Sequence, residues 1–132
     1  MPPLLEIKNL TVDFTANHGT HRALAGFSLA INSGETMAIV GESGSGKTVG
    51  ALAVMGLLAM PPAEIKTGEV LYKGDNLLAQ NSEKLRALRG DRIAMIFQDP
   101  MTALNPVFTV GEQIDEALLI HKMYEYFRLG VM

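Results

Sequence analysis

The 132 residues contain no cysteine. That excludes a disulfide scaffold, thiolate zinc, a cysteine-ligated iron–sulfur cluster and a cysteine nucleophile within this stretch. An excess of basic charge is also missing: 11 Lys+Arg stand against 14 Asp+Glu, for a net charge of -3. Nothing electrostatic therefore favours nonspecific nucleic-acid binding, and nucleic acid is not expected as a partner. The nearest basic run is Lys84, Arg86, Arg89 and Arg92; it is interleaved with Glu83 and Asp91 and reads as a solvated helix face. Long hydrophobic runs are lacking as well. The longest uncharged stretch, residues 48–63, falls short of the roughly 18 to 20 residues of a spanning helix, and Pro61-Pro62 interrupts its end. The first ten residues have neither the basic start nor the long apolar run of a signal peptide. If the protein serves a membrane, it is expected to do so by docking.

What is present is the apolar share of a globular chain, 48% hydrophobic against 19% charged, in a length of one domain or less. Along residues 5–14 apolar and polar residues alternate with a change of phase. Leu5 and Ile7 lie on one parity, while Leu10, Val12 and Phe14 lie on the other. An extra residue flips the face of a strand, so a bulge or turn is expected at Lys8-Asn9. Residues 15–21 read as a loop, and Phe27, Leu29 and Ile31 as a second strand closed by Asn32-Ser33-Gly34. Two short apolar runs, 36–40 (TMAIV) and 92–97 (RIAMIF), have the pattern of strands buried on both faces.

Helices are expected over residues 46–59, stopped by Pro61-Pro62, over 82–89, and from Val110 onward. The last has a capping-box signature, Thr109 with Glu112, and a stripe of Val110, Ile114, Ala117, Leu118 and His121. Residues 68–72 suggest a further strand end before the turn Lys73-Gly74-Asp75. His18 and His21 at spacing three lack a third ligand nearby and are not expected to hold a metal. His121 is expected to be a half-buried packing residue.

The chemistry-bearing motif is Gly41-Glu42-Ser43-Gly44-Ser45-Gly46-Lys47-Thr48, which satisfies GxxxxGK[ST] at every fixed position. Glycines let backbone amides turn inward around a polyphosphate, and the positive end of the following helix faces the same charge. Lys47 is expected to reach the β- and γ-phosphates, and Thr48 to place its hydroxyl on Mg²⁺. A chance match in a chain of this length is on the order of one in a few hundred. The motif alone admits kinases, GTPases and several kinds of ATPase.

A second segment narrows the choice. Fifty residues beyond Thr48 the apolar run ends in Phe97-Gln98, followed by Asp99-Pro100-Met101-Thr102-Ala103-Leu104-Asn105-Pro106. With GESGSGKT, FQDPMTALNP and TVGEQI together, the sequence resembles the ATP-binding subunits of ABC transporters, specifically importers for dipeptides, oligopeptides and nickel. The resemblance covers roughly residues 4–119. It implies an α/β fold, the P-loop NTPase core of a nucleotide-binding domain with an N-terminal antiparallel β subdomain and part of a parallel sheet. It further implies ATP and Mg²⁺ as ligands, with Phe14 stacking on adenine and Gln98 coordinating Mg²⁺ or positioning the attacking water. Residues 99–107, with Asp99 and Val107 at their ends, would face the membrane permease subunits. A second ATP-binding subunit would complete a dimer, peripheral to the cytoplasmic face of the plasma membrane.

Other family landmarks do not occur in these 132 residues: an LSGGQ-type signature, a strand ending Asp-Glu, and a switch histidine. The pair Asp115-Glu116 falls inside an expected helix and cannot be that strand's acid. The expectation is thus a domain of residues 1–122 cut between the Q-loop and the signature, with 123–132 a divergent, aromatic-rich tail. Such a chain supplies half of the hydrolytic constellation, and a marginal or aggregation-prone product is expected of it. The alternative is a catalytically inactive remnant or interaction module with weak or no nucleotide binding. Another P-loop kinase is disfavoured by Phe97-Gln98.

Overall fold

The computed structural model describes residues 2–99 and 103–121. The chain divides into two compact units, residues 1–85 and 86–132. The expected tail, 123–132, lies outside the described residues.

The first unit is built on an antiparallel sheet of order β2-β1-β3-β4. Its strands are β1 (Leu5–Ala16), β2 (Gly19–Ile31), β3 (Ala63–Tyr72) and β4 (Asp75–Asn76). β1 is central, paired with β2 on one side and β3 on the other. The phase change in its sequence is a bulge, as expected: the register shifts between Ile7 and Leu10 against β2 and between Lys8 and Thr11 against β3, and Asn9 takes a left-handed φ of 49°. Ile7, Leu10 and Val12 are consequently all buried, although their parities differ. The bulge is stitched from both neighbours. The Asn9 amide donates to Ser28 Oγ at 2.8 Å, and Thr67 Oγ1 donates to the Asn9 carbonyl at 3.1 Å. Opposite it Gly68, at φ 107°, passes so close that a Cβ there would sit 2.6 Å from Leu10 Cα and 2.6 Å from the Lys8 carbonyl oxygen. Only glycine fits both the backbone angle and the space. Leu10, Val12 and Val70 are fully buried, and each such side chain contributes about 1.5–3 kcal/mol.

The strands run longer than their apolar alternation indicates. The expected loop at 15–21 shrinks to a two-residue turn at Asn17-His18, with Ala16 opposite Gly19. The first half of β2 is polar and exposed because β2 is an edge strand, and the β1 ladder holds it extended without a buried face. β3 likewise begins at Ala63, five residues ahead of the expected segment. Asp13, buried on β1, receives a forked pair from Arg22 across the ladder, Nε to Oδ1 at 2.9 Å and Nη2 to Oδ2 at 3.2 Å. That hydrogen-bonded guanidinium holds the carboxyl below the usual carboxylate range.

Helix α1 (Lys47–Met55) ends four residues short of expectation. Its terminator is Gly56 in the left-handed conformation, whose amide donates to the Ala53 carbonyl while Leu57 N donates to Leu52 O at 2.9 Å. This Schellman closure stops the helix before the prolines can act.

Neither apolar run forms the expected buried strand. Residues 36–40 are irregular, and Val40 is 94% exposed. Residues 94–97 are likewise irregular, and Ile96 is 98% exposed. A parallel strand is held by hydrogen-bonded neighbours on its flanks, and among the described residues neither run has a ladder partner beyond the single bridge Arg89–Ile93.

α2 (Ser82–Leu88) matches the expected surface helix. The second unit holds α3 (Val110–Ile120). Its capping box is formed: Glu112 N donates to Thr109 Oγ1 at 3.2 Å, and Thr109 N donates to Glu112 Oε2 at 2.8 Å. The expected apolar stripe is not buried. Val110 and Ile114 are exposed and only Leu118 and His121 are half-buried, because among the described residues no element covers that face. The His121 ring packs where a Cβ on Gly90 would stand, the packing role expected of it.

Candidate functional site

The eight motif residues come together in the first unit as a loop leading into α1. Residues 41–45 are exposed, with Gly44 at φ 80° and a turn closed by Ser45 N donating to Glu42 O at 3.2 Å. Gly46 is buried and caps α1 at φ 89°. A Cβ at this position would meet the Ala23 carbonyl oxygen at 2.5 Å and Leu24 Cδ2 at 2.6 Å, so the loop's last glycine is pressed onto β2. No side chain caps α1, and no acidic residue occupies its first turn. The first amides of a helix lack intrahelical acceptors, so this N-terminus presents uncompensated donors and the positive end of the helix dipole, a setting suited to an anion.

Lys47 folds into the loop. Its Nζ donates to the Gly41 carbonyl at 2.5 Å, the Glu42 carbonyl at 2.6 Å and Ser45 Oγ at 3.1 Å. The ammonium is thereby held on the concave side by three oxygens of its own loop. Thr48 follows on the exposed side of the first turn. Beside the loop opens a cavity of about 170 Å³, lined by Leu24, Phe27, Ile39 and Val40 and by the loop residues Gly41, Ser45, Gly46 and Lys47. Ligand pockets for drug-sized molecules run to roughly 300–1,000 Å³, so this cavity is smaller than one that encloses such a ligand whole.

The remaining expected residues are not members of that loop. Phe14 lies half-buried in β1 between His21 on β2 and Ala63 on β3, and it does not line the cavity. Phe27 is the aromatic that does. Its alternation with Leu29 and Ile31 marked a strand, but the face it takes follows from its pairing with Leu10 across the bulge, which the sequence pattern does not encode. Gln98 belongs to the second unit, exposed directly after the irregular segment 94–97. Of residues 99–107, the described ones are Asp99 and 103–107, all exposed; Pro100, Met101 and Thr102 lie outside the described residues. His18 and His21 are both exposed, and no cluster of three metal-ligating side chains occurs among the described residues.

The second unit holds a feature that the sequence reading passed over. The Gln113 side chain accepts from Asn105 N at 2.9 Å and donates to the carbonyls of Asn105 at 3.0 Å, Phe108 at 3.1 Å and Thr109 at 3.4 Å. A glutamine eight residues from its partner carries no spacing rule that would have flagged it.

The family model described as ABC transporter matches residues 12–130. The dipeptide transport ATP-binding protein DppD of Bacillus subtilis is 49% identical over 122 residues, 92% of this chain and 36% of that protein. The oligopeptide transport ATP-binding protein OppD of the same organism is 47% identical over 90% of this chain and 33% of its own length. The chain thus spans about a third of the curated relatives it matches. Among solved structures, the dimeric MJ0796 bacterial ABC transporter cassette aligns with TM-score 0.76 and 26% identity, over 89% of this chain and 47% of that one. The same cassette in a post-hydrolysis state bound to ADP and Pi aligns at 0.75. Loop, antiparallel subdomain and sequence agree in placing the match at the N-terminal part of a cassette, and the chain belongs to the ABC transporter family.

Proposed function

We propose that the chain is the nucleotide-holding part of an ATP-binding subunit in an ABC importer for peptides. The observation that carries this is the phosphate loop, an eight-residue motif folded onto an uncapped helix N-terminus with Lys47 turned into its concavity. The donor set suits a polyphosphate. Backbone amides from Gly44 to Thr48 and the Lys47 ammonium would hold the β- and γ-phosphates of ATP, displacing the lysine from its loop carbonyls. Thr48 and Gln98 would contribute oxygens to Mg²⁺, a hard cation that takes such ligands. Phe14 would offer its ring to adenine, with Gly41, Glu42, Ser43 and Ser45 shaping the loop. Bound ATP supplies the free energy that closes two such subunits on each other, and closure moves the permease.

Peptides are proposed over nickel because the relatives at 47–50% identity are named for dipeptide, oligopeptide or peptide transport. Partners would be the permease subunits, reached through Asp99 to Val107, and a second ATP-binding subunit. The MJ0796 cassette is described as dimeric, which supports the latter. Among the described residues no helix is long and apolar enough to cross a membrane. Attachment is proposed to be peripheral, at the cytoplasmic face of the plasma membrane. The domain is proposed to run over residues 1–122, with residues 123–132 a tail of divergent sequence.

Labelled ATP binding and thermal shift with Mg²⁺ test the reading on the purified chain. Lys47→Ala removes a charge-assisted contact worth about 1.5–3 kcal/mol, so it is expected to weaken binding roughly 10- to 100-fold. Equal binding by parent and variant, or none by the parent, would reject the site.

A further inference from the structure

We propose that Gln113 is a positioning residue: its side-chain amide fixes the shape of the segment from Asn105 to Phe108, through which the chain meets the permease. The inference rests on the reading of residues 99–107 as the permease-facing segment.

Four hydrogen bonds carry it. Gln113 Oε1 accepts from Asn105 N, and Gln113 Nε2 donates to Asn105 O, so the side chain pairs with both polar groups of one residue's backbone as a neighbouring strand would. The same Nε2 reaches the carbonyls of Phe108 and Thr109. Within the segment, Val107 N donates to Asn105 Oδ1 at 3.1 Å and Phe108 N to Asn105 O at 3.3 Å. Pro106 has no amide to give. Each amide of the segment therefore has an acceptor, supplied by Gln113 or by Asn105.

The anchor itself is rigid. Gln113 sits in the first turn of α3, which the Thr109–Glu112 box has already fixed, so the amide reaches the segment from a helix. Outward from this scaffold project Leu104, Val107 and Phe108, at 52%, 82% and 56% exposure. Apolar side chains held open to water by a hydrogen-bonded frame gain little from the chain's own fold. Their presentation suits an apolar partner surface, and the frame removes the ordering cost of meeting it.

The test uses the full chain with Gln113→Met, which keeps length and helix propensity but neither donates nor accepts, and Gln113→Glu in case the first fails to fold. Val107→Asp serves as the surface control. Amide exchange at Asn105 and Val107 is expected to quicken about tenfold or more while Ala117 and the β1 ladder are unchanged. Capture of co-expressed permease subunits in membranes is expected to fall about tenfold, the worth of one or two net hydrogen bonds. Unchanged exchange at Asn105 would overturn the proposal. So would undiminished capture by the Gln113 variants when Val107→Asp abolishes it, an outcome that leaves the permease-facing reading standing. Undiminished capture by Val107→Asp would remove that reading, and this inference with it.

Discussion

Two valines in the first unit make the most instructive pair. Val12 belongs to an alternating stretch and Val40 to a short apolar run, and both read as strands, yet Val12 is fully buried and Val40 is 94% exposed. Side-chain chemistry does not separate them. Val12 lies on a strand with hydrogen-bonded neighbours on both sides, opposite Leu24 and Ile65, whereas residues 36–40 have no ladder partner among the described residues. Apolar composition supplies the motive to be buried, and a neighbouring backbone supplies the means, because an extended segment must satisfy its own amides before it can pack.

The largest effect is expected from breaking the supported side of this pair. Gly68→Ala puts a methyl group 2.6 Å from the Leu10 and Lys8 backbone at a φ that L residues avoid. Backbone strain and overpacking together cost about 2–6 kcal/mol. Urea unfolding followed by circular dichroism is expected to show the sheet lost well before the parent's midpoint; coincident transitions would mean that β3 does not need the close approach.

A smaller, pH-dependent effect is expected at the Asp13–Arg22 fork. The carboxyl's pKa is lowered in the fold by Arg22, so its stabilisation is fully present above about pH 4 and is lost as pH falls through the lower, folded value. Arg22→Ala should destabilise the sheet at neutral pH, and the gap between variant and parent should narrow on acidification. A gap that stays constant from pH 7 to pH 3 would show the fork to be idle.

The smallest effect belongs to the unsupported runs. Val40→Ser and Ile96→Ser should each change the stability of this chain by no more than about 0.5 kcal/mol while reducing its tendency to aggregate, as light scattering would report. A loss comparable to that of a buried valine would mean that these runs are covered in solution.

Much of the fold was legible because local rules acted undisturbed. The parity change at Lys8-Asn9 announced a bulge, Thr109-x-x-Glu112 announced a formed capping box, and GESGSGKT announced a loop entering a helix. What was illegible depended on partners. The polar first half of β2 became a strand because β1 holds it, and α1 stopped at Gly56, inside the stretch expected to be helical. The runs at 36–40 and 92–97 show the reverse, a correct pattern with no ladder to complete it. At the candidate site the loop residues were recoverable from spacing. The position of Phe27 at the cavity and the reach of Gln113 depend on register and loop geometry, which no single-sequence pattern specifies.

Gly46 stands under two demands at once, since its open space is filled by the Ala23 carbonyl and Leu24 of β2 as well as being part of the phosphate motif. The two demands would separate in a lineage that ceased to bind nucleotide. Such a descendant would be free to exchange Lys47 but would still have to keep Gly46 to seat its helix on the sheet. A degraded copy of this motif should therefore lose its lysine first and its last glycine late, and the order of loss would record which of the two demands had lapsed.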